Sequence, residues 1–108
     1  MQAYFVYITC KDLEQAKKIA QTLLQERLIA CANIFPPMLS LFLWEGENCQ
    51  AEEVLCLCKT SQKLYPEVEA RVKQLHSYDT PCIVALPVIA GSAEFLEWVT
   101  NSTSTYQG

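Results

Sequence analysis

Glycine is scarce in this chain, with three residues in 108, and histidine is scarcer, with one. Three glycines leave no glycine-rich loop to cradle a phosphate, and a lone imidazole has no evident base-and-nucleophile arrangement around it, so the chain reads as a non-enzyme. Basic residues are outnumbered, 8 Lys+Arg against 12 Asp+Glu for a net charge of -4. That balance lacks the positive footprint that phosphate backbones require, which excludes nucleic acid as a partner. No run of about 18 apolar residues is present, so no membrane span is expected. Nor does a basic-then-apolar opening suggest a signal peptide, and the expectation is a cytoplasmic protein. No Cys-x-x-Cys pair occurs, which removes a dedicated copper-chaperone loop. The 6 cysteines are then read as free thiols, because a disulfide framework needs an oxidising compartment that nothing here implies.

What the chain has in abundance is apolar residues, 51% against 19% charged. At this length it is expected to be a single domain over 1–108 with apolar surface left over for an interface. The organising stretch is 30–46, where Ile34, Phe35, Leu39, Leu41, Phe42, Leu43 and Trp44 run without a charge until Glu45. This composition suits a largely buried β-ribbon. Pro36 and Pro37 cannot donate to a ladder and are expected to split the ribbon into two arms, the far one ending in a glycine turn at Trp44-Glu45-Gly46-Glu47-Asn48.

In chain order, 3–10 is dense in aromatic and β-branched residues and reads as a central strand. Asp12 can cap a helix and Gln15 can complete its capping box. The stripe Leu13, Ala16, Ala20, Leu23, Leu24 and Leu28 then carries that helix to about residue 28. A strand over 52–60 places Val54, Cys56 and Cys58 on one face and Leu55, Leu57 and Lys59 on the other. Thr60 or Ser61 can cap a second helix with Leu64, Val68, Val72 and Leu75 inward. A loop at 76–81 leads to a strand over 82–88, where Pro87 points to an edge or bulge. A short helix from 92 to about 100 turns Phe95, Leu96 and Val99 inward, and the polar tail 101–108 is expected to fray. Two interleaved βαβ halves of this kind give an α+β, ferredoxin-like split βαβ sandwich with both main helices on one face.

The chain resembles the CutA1 family of divalent-ion tolerance proteins. The resemblance rests on Thr9-Cys10-Lys11-Asp12, on 26–34 (Glu-Arg-Leu-Ile-Ala-Cys-Ala-Asn-Ile), on Trp44-Glu45-Gly46 and Lys59-Thr60, and on Leu75-His76-Ser77-Tyr78-Asp79-Thr80-Pro81. It implies a homotrimer similar in build to the PII signalling proteins, in which the far arm of the ribbon pairs with a neighbouring subunit. It also implies inter-subunit clefts that gather Trp44, Glu45, Lys59, His76 and Tyr78. Two departures mark this chain. Pro36-Pro37 stands where relatives commonly have proline then glycine, and Cys82 stands where they commonly have glutamate, exchanging a hard oxygen ligand for a soft thiol.

Thiols and imidazole are the usual ligands of copper and zinc. The expected metal set, for copper or another divalent ion bound weakly, is His76 with Cys82 or Cys31, His76 lying exposed in its loop. Cys56 and Cys58 are assigned to core packing, since residues two apart on a strand are separated by roughly 6.5 to 7 Å along it while thiolates on one zinc stand within roughly 4 Å. Lys59 is expected to pair with a carboxylate such as Glu45 or Asp79, and Glu52 and Glu53 to form a solvated face. Two functions remain open: metal homeostasis through the clefts, or a PII-like signalling or protein-interaction module in which metal binding is incidental.

Overall fold

A computed structural model describes residues 2–104. It contains β1 (Ala3–Cys10), α1 (Leu13–Gln25), β2 (Cys31–Ile34), β3 (Met38–Trp44), β4 (Glu47–Ser61), α2 (Tyr65–Leu75), β5 (Ile83–Val88) and α3 (Ala93–Ser102), with a 3-10 turn at Gln62–Leu64 before α2. The strands lie in the order β2-β4-β1-β5, all antiparallel, and β3 pairs with β4 beside this path. This is the expected ferredoxin-like α+β sandwich. Helices α1 and α2 cover one face of the sheet, where Val6, Ile8, Cys10, Ile19, Leu23, Val54, Cys56, Cys58, Val68 and Val72 close into one core.

The strand over 52–60 proves much longer. β4 begins at Glu47, and its two halves do different work: residues 47–53 pair with β3, while 54–61 run beside β1. The arms separate at Pro36 and Pro37 as their missing amides require, because the Phe35 N–H to the Leu55 carbonyl (2.9 Å) is the last ladder bond before them. At the far end Glu45 (φ 50°) and Gly46 (φ 81°) make a two-residue turn with both residues left-handed, the geometry that suits the twist of a hairpin.

Three expectations about the helices need correction. α1 stops at Gln25, not near Leu28. Arg27 turns left-handed (φ 60°), and the N–H groups of Arg27 and Leu28 reach back to the carbonyls of Leu24 (3.0 Å) and Leu23 (2.9 Å), closing the helix end. Leu28 is buried, but as part of the loop. Leu13 and Leu24 are exposed, and Ile19, absent from the expected stripe, is fully buried in their place. In α3, Val99 is buried but Phe95 faces outward and stacks on Trp98, with ring centroids 5.8 Å apart. Nor does the chain loosen after residue 100: α3 runs to Ser102, and the buried Thr103 hydroxyl donates to the Val99 carbonyl at 3.0 Å. Residues 105–108 of the expected tail lie outside the described residues.

Because Arg27 is exposed and holds a conformation that suits glycine, Arg27→Gly is expected to raise stability by about 0.5–1 kcal/mol. Urea unfolding with an unchanged slope is the check.

Candidate functional site

Chemistry-bearing side chains gather at the Cys10 end of β1. His76 follows the last turn of α2, where its backbone N–H still bonds the Val72 carbonyl at 2.8 Å. Its ring nitrogen Nδ1 accepts from the Tyr78 backbone N–H (3.1 Å), which leaves Nε2 carrying the proton and donating to the Thr9 carbonyl at 2.7 Å. The imidazole is therefore half-buried and engaged at both nitrogens, where exposure was expected. Metal ligation by His76 requires one of these bonds to open.

Tyr78 packs against that ring, with centroids 4.7 Å apart, and its hydroxyl donates to Glu53 Oε2 at 2.9 Å. Glu53 is thus part of the cluster and does not belong to a solvated face. Gln15 ties α1 to the same loop. The Asp12 side chain accepts from the Gln15 N–H (2.8 Å) as the expected cap, but Gln15 Oε1 accepts from the N–H of Lys11 (2.9 Å), one residue before the cap, and its Nε2 donates to the Ser77 hydroxyl (2.8 Å). Burial, followed by the hydrogen bond to Glu53, pushes Tyr78 up to about 12 from its usual 10. Burial likewise pushes the Cys10 thiol up to about 12, reinforced by Cys56, Asp12 and Glu53. Raised values favour the neutral forms. Neutral Tyr78 accordingly gives its full stabilisation below pH 10 and loses it as the pH climbs toward 12. In an absorbance titration, Tyr65, also held near 12, and Tyr78 are expected to ionise last, and Tyr78→Phe to remove one of these two late steps.

The other expected site residues are not all at this end. Cys82 immediately precedes β5, whose first residue pairs with Ile8, so it shares the Thr9 end of the sheet with His76. Cys31 pairs with Lys59, which in turn pairs with Phe5. That is four residues back along β1, on the opposite edge of the sheet, about 13 Å by strand rise alone. Within one chain His76 and Cys31 are not brought together. Among the described residues no group of three His, Cys, Asp or Glu side chains is arranged to hold a metal ion.

Lys59 is buried, as its apolar setting predicted, but its partner is not a carboxylate. Nζ donates to Asn33 Oδ1 and stands 5.4 Å from the centroid of the Phe5 ring. Asn33 is the diagonal neighbour of Lys59 across β2 and β4, a relation that only the strand register reveals. Trp44 and Glu45 sit at the hairpin tip, distant from both clusters in sequence register, with Trp44 half-exposed and Glu45 serving the turn.

Among the described residues, the ribbon carries a run of exposed apolar side chains. Leu39, Leu41 and Leu43 are 65%, 71% and 72% exposed. A shallow groove runs along it between Leu41, Phe42, Leu43, Asn48, Cys49 and Gln50. Val84 and Leu86 on the edge strand β5 are about half-exposed too.

The family model described as CutA1 divalent ion tolerance protein matches residues 4–102. A divalent-cation tolerance protein CutA from Archaeoglobus fulgidus is 47% identical over 88% of this chain and 92% of its own length. The solved Thermus thermophilus divalent cation tolerance protein superposes with a TM-score of 0.92 at 42% identity, covering 94% of this chain and 99% of that one. The Oryza sativa CutA1 structure gives 0.93 at 36% identity, covering 98% and 97%. The names carried by these relatives describe tolerance and no catalytic activity. They also overturn the cytoplasmic expectation. The solved A. fulgidus protein is described as periplasmic, and an Arabidopsis thaliana relative, 42% identical over 91% of this chain and 54% of its own, as chloroplastic. Compartment varies around one fold, so it cannot be read from charge and composition. Taken together, the matched length and the shared fold establish that the chain belongs to the CutA1 family of divalent ion tolerance proteins.

Proposed function

We propose that the protein is a homotrimer that contributes to divalent-metal tolerance by taking up a metal ion, copper or zinc, or a small ligand in the clefts between its subunits. The observation that carries this reading is the ribbon of β3 with the first half of β4. A two-stranded ribbon with three leucines about two-thirds exposed has no stable existence in water by itself, and a symmetric set of copies can cover it. Pairing the free edge of β3 across subunits also removes a template for aggregation.

In this reading His76 and Cys82 are the metal ligands, and Cys31 joins them only from a neighbouring copy. Lys59, Tyr78, Trp44 and Glu45 line the cleft for the small ligand. No catalytic step is assigned. The test is native mass spectrometry of the reduced protein with divalent copper and with zinc, beside His76→Ala. Three ions per trimer, with occupancy falling at least tenfold in the variant, are expected. A trimer that takes up no ion moves the function to a PII-like interaction module, and a monomer overturns the proposal altogether.

A further inference from the structure

Cys56 and Cys58 were assigned to packing because their backbone positions are a full pleat repeat apart, and that separation does not describe their sulfurs. The two side chains lean together on the core face of β4, with Sγ atoms 3.7 Å apart, and neither residue has any exposed surface. Two thiolates at about 2.3 Å from one ion and at a near-tetrahedral angle stand about 3.8 Å apart. From this geometry we propose that Cys56 and Cys58 form a buried two-thiolate site for a soft monovalent metal ion, Cu(I), separate from the cleft and independent of the reading above.

Soft sulfur ligands select Cu(I) over hard divalent ions, and the donors here are sulfur alone. The surrounding core residues Val6, Ile8, Val54 and Val72 offer no competing oxygen or nitrogen. A linear arrangement at the same bond length sets the sulfurs about 4.6 Å apart, wider than the 3.7 Å found. Cys10 lies on the same face of the sheet, one strand over and opposite Val54. Binding is a plain exchange: both thiols release their protons to solvent and Cu(I) enters without change of oxidation state. The ion with two thiolates carries one net negative charge. The hydrogen bond between the two cysteines draws Cys56 below its usual value and, together with burial, holds Cys58 well above its own, with Lys59 a smaller influence toward thiolate on both, so the second proton leaves only as the ion displaces it. The site is sealed, so the ion must enter during folding or a local opening. Uptake is expected to be slow on native protein and immediate when the protein is refolded with the ion.

The test removes the thiols that are not fully buried. Cys31→Ser/Cys49→Ser/Cys82→Ser protein, checked by circular dichroism, is refolded anaerobically with Cu(I) under reductant and then challenged with a competing chelator. One Cu(I) retained per chain is expected, and adding the volume-matched Cys58→Val should lower affinity at least a hundredfold. Should Cys58→Val not fold, X-ray absorption of the loaded triple variant decides, with two sulfur neighbours and no nitrogen expected. No retained copper, unchanged retention in Cys58→Val, or a nitrogen neighbour such as His76 overturns the proposal.

Discussion

Leu41→Glu/Leu43→Glu is expected to abolish the proposed trimer and leave a folded monomer. Both side chains lie on β3, more than 70% exposed, and neither belongs to the core enclosed by α1, α2 and the sheet. Burying two carboxylates without partners at an interface costs several kcal/mol per copy, and a cyclic assembly repeats that cost at every contact. The β3–β4 pairing and the turn at Glu45 and Gly46 depend on backbone bonds that the substitutions leave alone. Sedimentation velocity should therefore show a species of one-chain mass with native circular dichroism. An unchanged trimer would mean that subunits meet elsewhere, with the edge of β5 at Val84 and Leu86 the next surface to alter.

Leu23→Ala is expected to be, with Ile19→Ala, among the most damaging single truncations in α1, at about 3 kcal/mol. Leu23 is fully buried between α1 and the sheet, and emptying such a site typically costs 2–5 kcal/mol through lost transfer energy and the remaining cavity. Leu13→Ala in the same helix should cost less than about 0.5 kcal/mol, since Leu13 is 53% exposed. Equilibrium unfolding of both, at one protein concentration so that assembly does not shift the comparison, distinguishes them. Equal losses would place Leu13 under a neighbouring subunit.

The contrast between these two leucines shows what the sequence could and could not disclose. Periodicity located α1 and its buried side, because Ala16, Ala20 and Leu23 recur at helical spacing. It could not weight the members of the stripe, of which Leu13 and Leu24 stay exposed. Nor could it foresee that Arg27 would turn left-handed, since arginine carries no signal for that conformation. The paired prolines and the Glu45-Gly46 turn were legible because each rests on a local rule about backbone amides or φ.

At the candidate site the legible part was again local. His76 and Tyr78 share one loop, but Thr9 and Glu53 arrive from strands 67 and 25 residues away, and only the fold brings them. Asn33 was missed as the acceptor for Lys59 for the same reason: a charged residue invites a search for a charge, while the register supplies an amide. The cysteine pair failed differently. Strand rise measures the spacing of α-carbons, and long enough side chains on one face can close several ångströms of it.

The place of β1 has a consequence for synthesis. It is made before the other strands of this domain and is one of the two central strands of the sheet, and its hydrogen-bonding neighbours are β4 and β5, with Ala3 paired to Ser61 on one side and Val88 on the other. A growing chain therefore carries an apolar strand with both edges open until β4 has been made, and with one edge open until β5 follows. Closing these long loops is slow compared with forming α1, so the nascent chain presents helix first and sheet last. Cotranslational chaperone contact is expected to concentrate on 3–10, and a stalled chain ending before β5 to be far more prone to association than the finished protein.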